Sequence, residues 1–460
     1  MKSKYLTLLF LLVPYLFFGQ LRPKFSKKEV LEDLKTLQES LEEAHYNLYA
    51  YITEQEFNAR YLQIKEGVQK DSLDLLETTT ILQQLISVVN NGHTEIGFPG
   101  QSYGAYAYAG GTLFPLEIAF EYNIPLIRKN WSDNDSIKVG DKILRINGMS
   151  MAEILSKIYP QISAERPYFK NAKIELYSFP RLYWQVFGRH DQFEVEIQSK
   201  GKNTTYSLKA VDLINGYEMK RNEVLNATMT LWFKGQTAYL NPGNFSGDEP
   251  KFKQFIDSSF AEIHSKKSEN LIIDLRNNGG GDNAFSDYLV SYIADRPFQW
   301  HSSFTLKTSA FLKEQVRQNN DTTAVYWKQI LDHKDGEVYD YHFDDYPQQP
   351  IAKRYKGKVY VLINRQSHSQ SAVTAAQIQD YGFGTLVGEE TGDYPSLYAS
   401  QFQYQLPHTG ISVSVSKGKI VRVNGSTQEE GVIPDIFIKD HLLDEDDEIL
   451  DGLFKHLRTE

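Results

Sequence analysis

The sequence predicts a protein of mixed α/β and α+β class with several domains. A chain of 460 residues with 41% apolar content is too long for one compact core, so two or three domains are expected. Residues 26–91 show apolar side chains at helical spacing, residues 104–212 form short alternating runs, and residues 226–440 alternate between strand and helix patterns. The predicted order is therefore a helical region, a β module and an α/β core.

The first twenty residues, MKSKYLTLLFLLVPYLFFGQ, combine two lysines with an apolar run that is short for a membrane span. This pattern is typical of a secretory signal peptide at residues 1–20, cleaved beside Gly19 or Gln20. An uncleaved anchor is the alternative interpretation. We expect export to the periplasm or the extracellular space, and no stable membrane insertion after cleavage.

Composition excludes several functions. The formal net charge of −10 argues against nucleic acid as a partner. The chain has no cysteine, which excludes disulfides, thiol nucleophiles and cysteine-based metal sites. The sequence has no HExxH motif and no close cluster of histidine and aspartate, so we expect neither a metal nor another cofactor.

The helical region, residues 21–100, is expected to contain three helices. The second opens with the capping pattern from Thr53 to Glu56, and the third ends at Asn90, Asn91 and Gly92. His93 follows directly. A single histidine beyond a helix end is more often structural than functional.

Residues 104–212 predict a mostly β module. Within it IKVGDKILRINGMSMAEILSKI resembles the part of PDZ domains in which a GD turn leads to a strand, an NG turn and a helix. PDZ domains bind an extended chain end at a sheet edge. The alternative is a module that only packs against its neighbours.

Residues 226–440 predict a parallel sheet with crossover helices, interrupted by an irregular insertion at about 299–350, and residues 441–460 predict a C-terminal helix. Ligands of such sheets bind at the carboxyl ends of the strands. The loop DLRNNGGGDN lies at one such end and offers free amides to an anion. It lacks the phosphate-loop and dinucleotide signatures, so a transient oxyanion fits better than a nucleotide.

Three segments in order, LIIDLRNNGGG, VLINRQSHSQSAVTAAQIQDYGFGTLVGEETG and GVIPDI, resemble the C-terminal-processing (tail-specific) serine protease family. That family includes the tricorn protease core and the repeats of interphotoreceptor retinoid-binding protein. The resemblance implies a ClpP/crotonase-like α/β core and a serine peptidase that acts on polypeptide substrates.

The resemblance also implies which serine reacts. The nucleophile of the family is the middle serine of an SxSxS run, which is Ser369, and Ser367 and Ser371 should face elsewhere. The amide of Gln370, with the loop at Gly279 and Gly280, would form the oxyanion hole. The rival interpretation is that all three serines only cap a helix.

The residues that supply the catalytic base in the tail-specific proteases are not found at the corresponding positions of this sequence. Their lysine position holds Tyr394, and Ala372 replaces their glutamate, so the tricorn-like branch, which lacks the catalytic lysine, is the better match. That branch implies His93 as the base, with His368 as the second choice. A neutral histidine base predicts activity that rises with pH through about 6.5.

The third catalytic member is expected just before GVIPDI. The aligned position is Gln428, and a small register shift would instead use Glu429 or Glu430; we take Glu429 as the expected residue. The sequence thus predicts an exported serine peptidase. The alternative is a peptide- or lipid-binding protein that keeps the fold without catalysis, as the retinoid-binding relatives suggest.

Overall fold

The computed structural model describes residues 24–225 and 227–459. The expected signal peptide at 1–20 lies outside the described residues. Among the helices of the described ranges, none is both long and apolar enough to cross a membrane.

The N-terminal region contains the three expected helices. Each begins with a capping box, in which the side chain of Ser26, Thr53 or Asp74 accepts a hydrogen bond from the backbone three residues on. The elements are β1 (Lys24–Ser26), α1 (Lys27–Ala44), α2 (Glu54–Gly67), β2 (Ser72–Asp74), α3 (Leu75–Ile86) and α4 (Gly100–Tyr108). A short 3₁₀ turn, Ser87–Val89, ends α3.

The middle module is an antiparallel sheet with three helices. Its elements are β3 (Thr112–Leu113), β4 (Leu116–Glu121), β5 (Ile124–Asn130), β6 (Lys142–Ile146), β7 (Met149–Ser150), α5 (Met151–Ile158), α6 (Pro167–Tyr177), α7 (Phe179–Phe187), β8 (Gln192–Ser199), β9 (Lys202–Lys209) and β10 (Val211–Asp212). The main sheet has the order β4-β5-β6-β8-β9. The predicted strand, NG turn and helix correspond to β6, the turn at Asn147–Gly148 and α5.

The edge of this sheet at β4 is covered. All six residues of β4 are buried. The Phe120 N–H donates to the buried Glu175 Oε1 of α6 at 2.7 Å. A chain that added to β4 as a further strand would therefore have to displace α6.

The α/β core has the predicted parallel sheet, with the strand order β11-β12-β13-β16-β17-β20. Only β11 runs antiparallel to its neighbour. The elements are β11 (Thr230–Lys234), β12 (Thr237–Asn241), α8 (Glu249–Ser265), β13 (Asn270–Asp274), α9 (Asn283–Val290), β16 (Lys358–Ile363), α12 (Gln370–Tyr381), β17 (Thr385–Gly388) and β20 (Ile436–Phe437). The chain ends with α13 (Glu448–Leu457), which is shorter than the predicted segment 441–460.

The segment 299–350 is not the irregular insertion that the sequence predicts. It contains β14 (Ser303–Lys307), α10 (Ala310–Asn319), α11 (Val325–Asp332) and β15 (Val338–Asp340). With β18 (Leu397–Gln405) and β19 (Ser412–Val421) these strands form a second, antiparallel sheet of order β15-β14-β19-β18. The structural reason is long-range pairing, since β14 pairs with residues more than one hundred positions later.

The N-terminal helices pack on this second sheet. One apolar cluster joins Leu34 and Leu41 of α1 with Phe402 and Val413 of the sheet. Burial of such side chains stabilises by about 1.5–3 kcal/mol each. This packing fixes the end of α3, and with it His93, against the core.

Candidate active site

Ser369 lies at the junction of β16 and α12, with a backbone φ of +51° and ψ of −126° as the N-cap of α12. A residue other than glycine in this region is strained by about 1–3 kcal/mol, and such strain is concentrated at functional sites. Ser367 Oγ and Ser371 Oγ both donate to the Leu275 carbonyl, at 2.8 and 3.2 Å. Both are fully buried, whereas Ser369 lines a pocket of about 380 Å³.

The glycine loop packs directly against Ser369. A Cβ atom on Gly280, where φ is +87°, would lie 2.8 Å from Ser369 Cβ and 2.8 Å from the Gln370 nitrogen. Only glycine fits this contact. The Gly279 N–H donates to Asn244 Oδ1 at 3.0 Å, and the Gly280 N–H donates to Asn278 Oδ1 at 2.8 Å. Two of the three expected oxyanion donors, the N–H groups of Gly279 and Gly280, therefore already donate to side-chain oxygens in this structure.

His93 lies on a tight turn closed by a hydrogen bond from the Thr94 N–H to the Asn91 carbonyl, at 3.1 Å. The side chain is buried and lines the same pocket as Ser369. Its Nε2 lies 3.7 Å from Asp393 Oδ2. The same carboxylate oxygen accepts the Ser369 N–H at 2.8 Å. Asp393 thus connects the histidine to the backbone of the serine.

A second carboxylate, Glu165, holds the turn that carries His93. Its Oε1 accepts from the Gly92 N–H at 2.7 Å and from Asn91 Nδ2 at 3.3 Å. Its Oε2 is buried and has no hydrogen-bond partner within the part of the chain that the structure describes. One ligand-type atom from each of His93, Glu165 and Asp393 lies within 4.8 Å of the others, so these side chains could also hold a metal ion.

This clustering differs from the sequence expectation, which found no close group of histidine and carboxylates. Glu165 and Asp393 are far from His93 in sequence, and only the fold brings them together. A further group of this kind, His441, Asp444 and Glu448, lies near α13 and is more exposed.

The buried Lys173 of α6 holds the other side of the turn. Its Nζ donates to the Gly92 carbonyl at 2.9 Å and to Glu95 Oε2 at 3.2 Å. Burial disfavours the ammonium, but Glu95 and other nearby acids outweigh it and raise the pKa of Lys173 above its usual value. A charged lysine and Glu165 therefore bind the carbonyl and the amide of Gly92 from opposite sides.

Burial sets the protonation of the site. Burial, assisted by Lys173, lowers the pKa of His93 to about 4, despite the nearby Glu165. Burial raises the pKa of Asp393 to about 6. Burial, together with the charge of Asp393, raises the pKa of Glu165. At neutral pH the histidine is therefore uncharged and able to accept a proton.

The structure does not bring Glu429 to this cluster. The side chains of Gln428, Glu429 and Glu430 are all exposed, and the carboxylates beside His93 are Asp393 and Glu165 instead. The physical reason is that the segment before GVIPDI runs along the surface. Within it the Gln428 N–H donates to the neighbouring Ser426 Oγ at 3.3 Å, and the Gly431 N–H that follows donates to Glu390 Oε1 at 2.9 Å.

His368 and Tyr394, the two other residues considered for the base position, pack against Phe169 and Arg166. His368 lines the pocket, packs edge-on against Phe169, and has its pKa lowered to about 3 by burial. Tyr394 packs under the Arg166 guanidinium at 5.1 Å. Asp393 directly precedes Tyr394, which stands at the position of the family's lysine. The sequence analysis did not select Asp393, although its place beside that position was a signal that could have identified it.

Part of the α/β core is similar in sequence to known peptidases. Residues 236–438 match the sequence profile of peptidase family S41. The tail-specific protease of Haemophilus influenzae is 33% identical over 187 residues, which cover 39% of this chain and 22% of that protein. The matched segment thus spans about a fifth of the curated relative.

Solved structures resemble the whole fold. Mature CPAF complexed with lactacystin superposes with a TM-score of 0.64 at 16% identity, over 94% of this chain and 97% of that chain. Another structure of mature CPAF gives a TM-score of 0.59 at 17% identity, over 90% and 93% of the two chains. The arrangement of helical region, β module and α/β core is therefore one already seen in solved structures.

Proposed function

We propose that this chain, whose residues 236–438 match the profile of peptidase family S41, is an exported serine peptidase that hydrolyses peptide bonds of polypeptide substrates. The observation that carries this proposal is Ser369, held in a strained conformation at the head of α12 in the same pocket as His93. Asp393, which contacts both residues, supports it. The proposed export depends on the N-terminal sequence.

In the proposed mechanism, neutral His93 removes the proton of the Ser369 hydroxyl as Oγ attacks the substrate carbonyl. The protonated histidine then donates that proton to the leaving amine, which leaves an acyl-enzyme. A water molecule then gives one proton to His93 while its oxygen attacks the acyl carbonyl; the bond to Ser369 Oγ breaks, Oγ takes that proton back from His93, and the acid leaves. Each proton that His93 accepts is returned within the same half-reaction.

We assign the orienting carboxylate to Asp393, in place of Glu429. Its Oδ2 is placed to stabilise the imidazolium that forms during attack, and its hydrogen bond to the Ser369 N–H ties the two reacting residues to one group. Glu165 also lies near His93, and burial together with the charge of Asp393 raises the pKa of its carboxyl group. Glu429 is exposed and has no such contact.

The oxyanion hole is assigned to the amides of Gln370, Gly279 and Gly280. Oxyanion donors are typically worth about 2.7–4 kcal/mol each in the transition state. Since Asn244 and Asn278 accept the two glycine amides here, we propose that a substrate carbonyl displaces these side-chain oxygens.

The alternative function, a peptide- or lipid-binding protein without catalysis, is favoured by that same observation. If the asparagine oxygens stay in place, the Gly279 and Gly280 amides cannot reach an oxyanion. A pocket of about 380 Å³ would still accept a peptide side chain or part of an acyl chain.

Hydrolysis of unfolded casein separates these functions. We expect the purified protein without residues 1–20 to degrade casein, and the Ser369→Ala and His93→Ala variants to lose several orders of magnitude in turnover. Peptide binding should survive in both variants, since the lost interactions belong to the transition state. Casein binding without cleavage by the unmodified protein would favour the alternative.

A further inference from the structure

A second pocket lies beside the active site. It has a volume of about 440 Å³ and is enclosed by α2, the turn after α3, and helices α5 and α6. Its lining includes two cations, Arg60 and Lys170, together with the polar side chains of Tyr51, Tyr159 and Asn90. None of the residues assigned to catalysis lines it.

The two cations lack anionic partners. Arg60 donates to the neutral side chains of Gln63 and Gln84, at 2.7 and 2.9 Å, and its Nε is buried without a partner. Lys170 Nζ donates only weakly to Asn90 Oδ1, at 3.4 Å. Throughout residues 24–225 and 227–459, neither cation forms an ion pair with a carboxylate.

The carboxylates in the neighbourhood are already engaged. Glu56, which lines the pocket, accepts the backbone and side-chain hydrogen bonds of Thr53 in the capping box of α2. Glu165, which acts on the charge of Lys170, binds the Gly92 amide. Burial lowers the pKa of Arg60, and burial, assisted by Lys173 and only partly opposed by Glu165, lowers the pKa of Lys170.

Partly buried cations that form no ion pair favour an anionic ligand, because a carboxylate would restore the electrostatic interaction that desolvation removes and that Glu56 and Glu165 offset only in part. Arginine suits a carboxylate especially well, since its guanidinium can donate two parallel hydrogen bonds. The orphaned Arg60 Nε is one such donor.

The location connects this pocket to the substrate. Asn90 lies three residues before His93, and Lys170 directly follows Phe169, which lines the catalytic pocket. The two pockets therefore adjoin the same turn and the same helix. One of the two edges of the β module, β4, is covered by α6, so it is not open to a chain end.

We propose that the pocket lined by Arg60 and Lys170 binds a carboxylate of the polypeptide substrate while the neighbouring chain occupies the catalytic pocket. The carboxylate belongs either to an acidic side chain or to the free C-terminus. This inference rests on the proposed function, because it takes a polypeptide as the ligand.

The test measures binding to the Ser369→Ala variant, which keeps the peptide intact. Four fluorescein-labelled decapeptides differ only in one interior residue, glutamate or glutamine, and in a free or amidated C-terminus. Fluorescence anisotropy should show about tenfold or tighter binding for one carboxylate source over its neutral counterpart. The interior pair reports on a side chain, and the terminal pair reports on the chain end.

Arg60→Gln and Lys170→Met, each added to Ser369→Ala, should each remove most of this preference. Arg60→Lys keeps the charge and should retain much of it. Lys65→Gln is the matched control, because Lys65 is an exposed cation on the same helix and lies outside this pocket. Circular dichroism checks that every variant is folded.

The proposal is overturned if no decapeptide binds, if all four bind equally, or if Lys65→Gln removes the preference as strongly as the two pocket variants do. Casein hydrolysis by the unmodified protein keeps the two proposals separate. Cleavage without a carboxylate preference refutes the pocket alone. A carboxylate preference without cleavage refutes the peptidase alone.

Discussion

Replacement of Gly280 by alanine tests the contact between the glycine loop and Ser369. The new Cβ would lie 2.7 Å from the His368 carbonyl oxygen, 2.8 Å from the Gln370 nitrogen and 2.8 Å from Ser369 Cβ. Two of these atoms belong to the backbone and the third is next to it, so no flexible side chain can move aside. The loop or the head of α12 must shift.

The expected loss has two parts. Alanine at a φ of +87° costs about 1–2 kcal/mol from backbone strain. Overpacking of a tight contact adds about 1–3 kcal/mol, so the free energy of unfolding should fall by roughly 2–5 kcal/mol. A shift of the Gln370 amide would also remove an oxyanion donor, which lowers kcat by about 10²–10³.

Gly247→Ala is the matched control. Gly247 has a similar φ of +98° on the exposed turn before α8, and a Cβ there would meet no atom within 4 Å. It should lose only the strain energy and keep full activity. Urea denaturation and casein hydrolysis measure both effects. If Gly280→Ala matched this control in stability and activity, the glycine loop would not form part of the active site.

Four further experiments test the serine motif, the orienting carboxylate, the pH dependence and the two lysines of α6. Ser367→Ala and Ser371→Ala should keep most casein hydrolysis and lose about 1 kcal/mol of stability each, since each hydroxyl donates to the Leu275 carbonyl; equal loss of activity in both and in Ser369→Ala would assign the motif to folding. Asp393→Asn should lower kcat by about 10²–10⁴ with little change in KM, whereas Glu429→Gln should be nearly silent; the reverse result would restore Glu429. The kcat/KM should rise with a midpoint near pH 6 and stay flat above about pH 7, because neutral His93 and ionised Asp393 are both required and their pKa values are about 4 and about 6; in Asp393→Asn the remaining rise should have its midpoint near 4, and a midpoint near 6.5 in that variant would contradict the burial argument. Lys173→Met should reduce kcat more than Lys170→Met, because Lys173 Nζ donates to the Gly92 carbonyl in the turn that carries His93; equal kcat values for the two variants in steady-state assays would show that this hydrogen bond does not affect catalysis.

Local chemistry made much of the fold predictable. The capping boxes at Ser26, Thr53 and Asp74 are written in adjacent residues, so the three N-terminal helices could be located closely. The parallel core followed from strands that alternate with amphipathic helices. Ser369 could be selected because the strand, the serines and the helix are contiguous.

Contacts between residues far apart in the chain could not be predicted from local sequence patterns. The strand β14 reads as part of an irregular insertion, because its partners in β19 lie more than one hundred residues away. The same holds for Asp393 and Glu165, which reach His93 only through the packing of α6 and of the loop after β17. A single carboxylate carries no local signal of its future neighbour.

The position of Glu429 in the structure differs from the expectation for a different reason. It aligned a residue by its spacing from GVIPDI, and spacing along a surface loop does not determine where a side chain points. The pH midpoint of about 6.5 likewise assumed an exposed histidine, whereas burial lowers the pKa of His93.

The central claim is that Ser369 is a nucleophile activated by His93. Labelling with a fluorophosphonate probe, followed by mass spectrometry of the modified peptide, tests it most directly because it needs no knowledge of the substrate. We expect one adduct, on Ser369, that persists in Ser367→Ala and is strongly reduced in His93→Ala. An unlabelled protein, or an adduct on another serine, would contradict the claim.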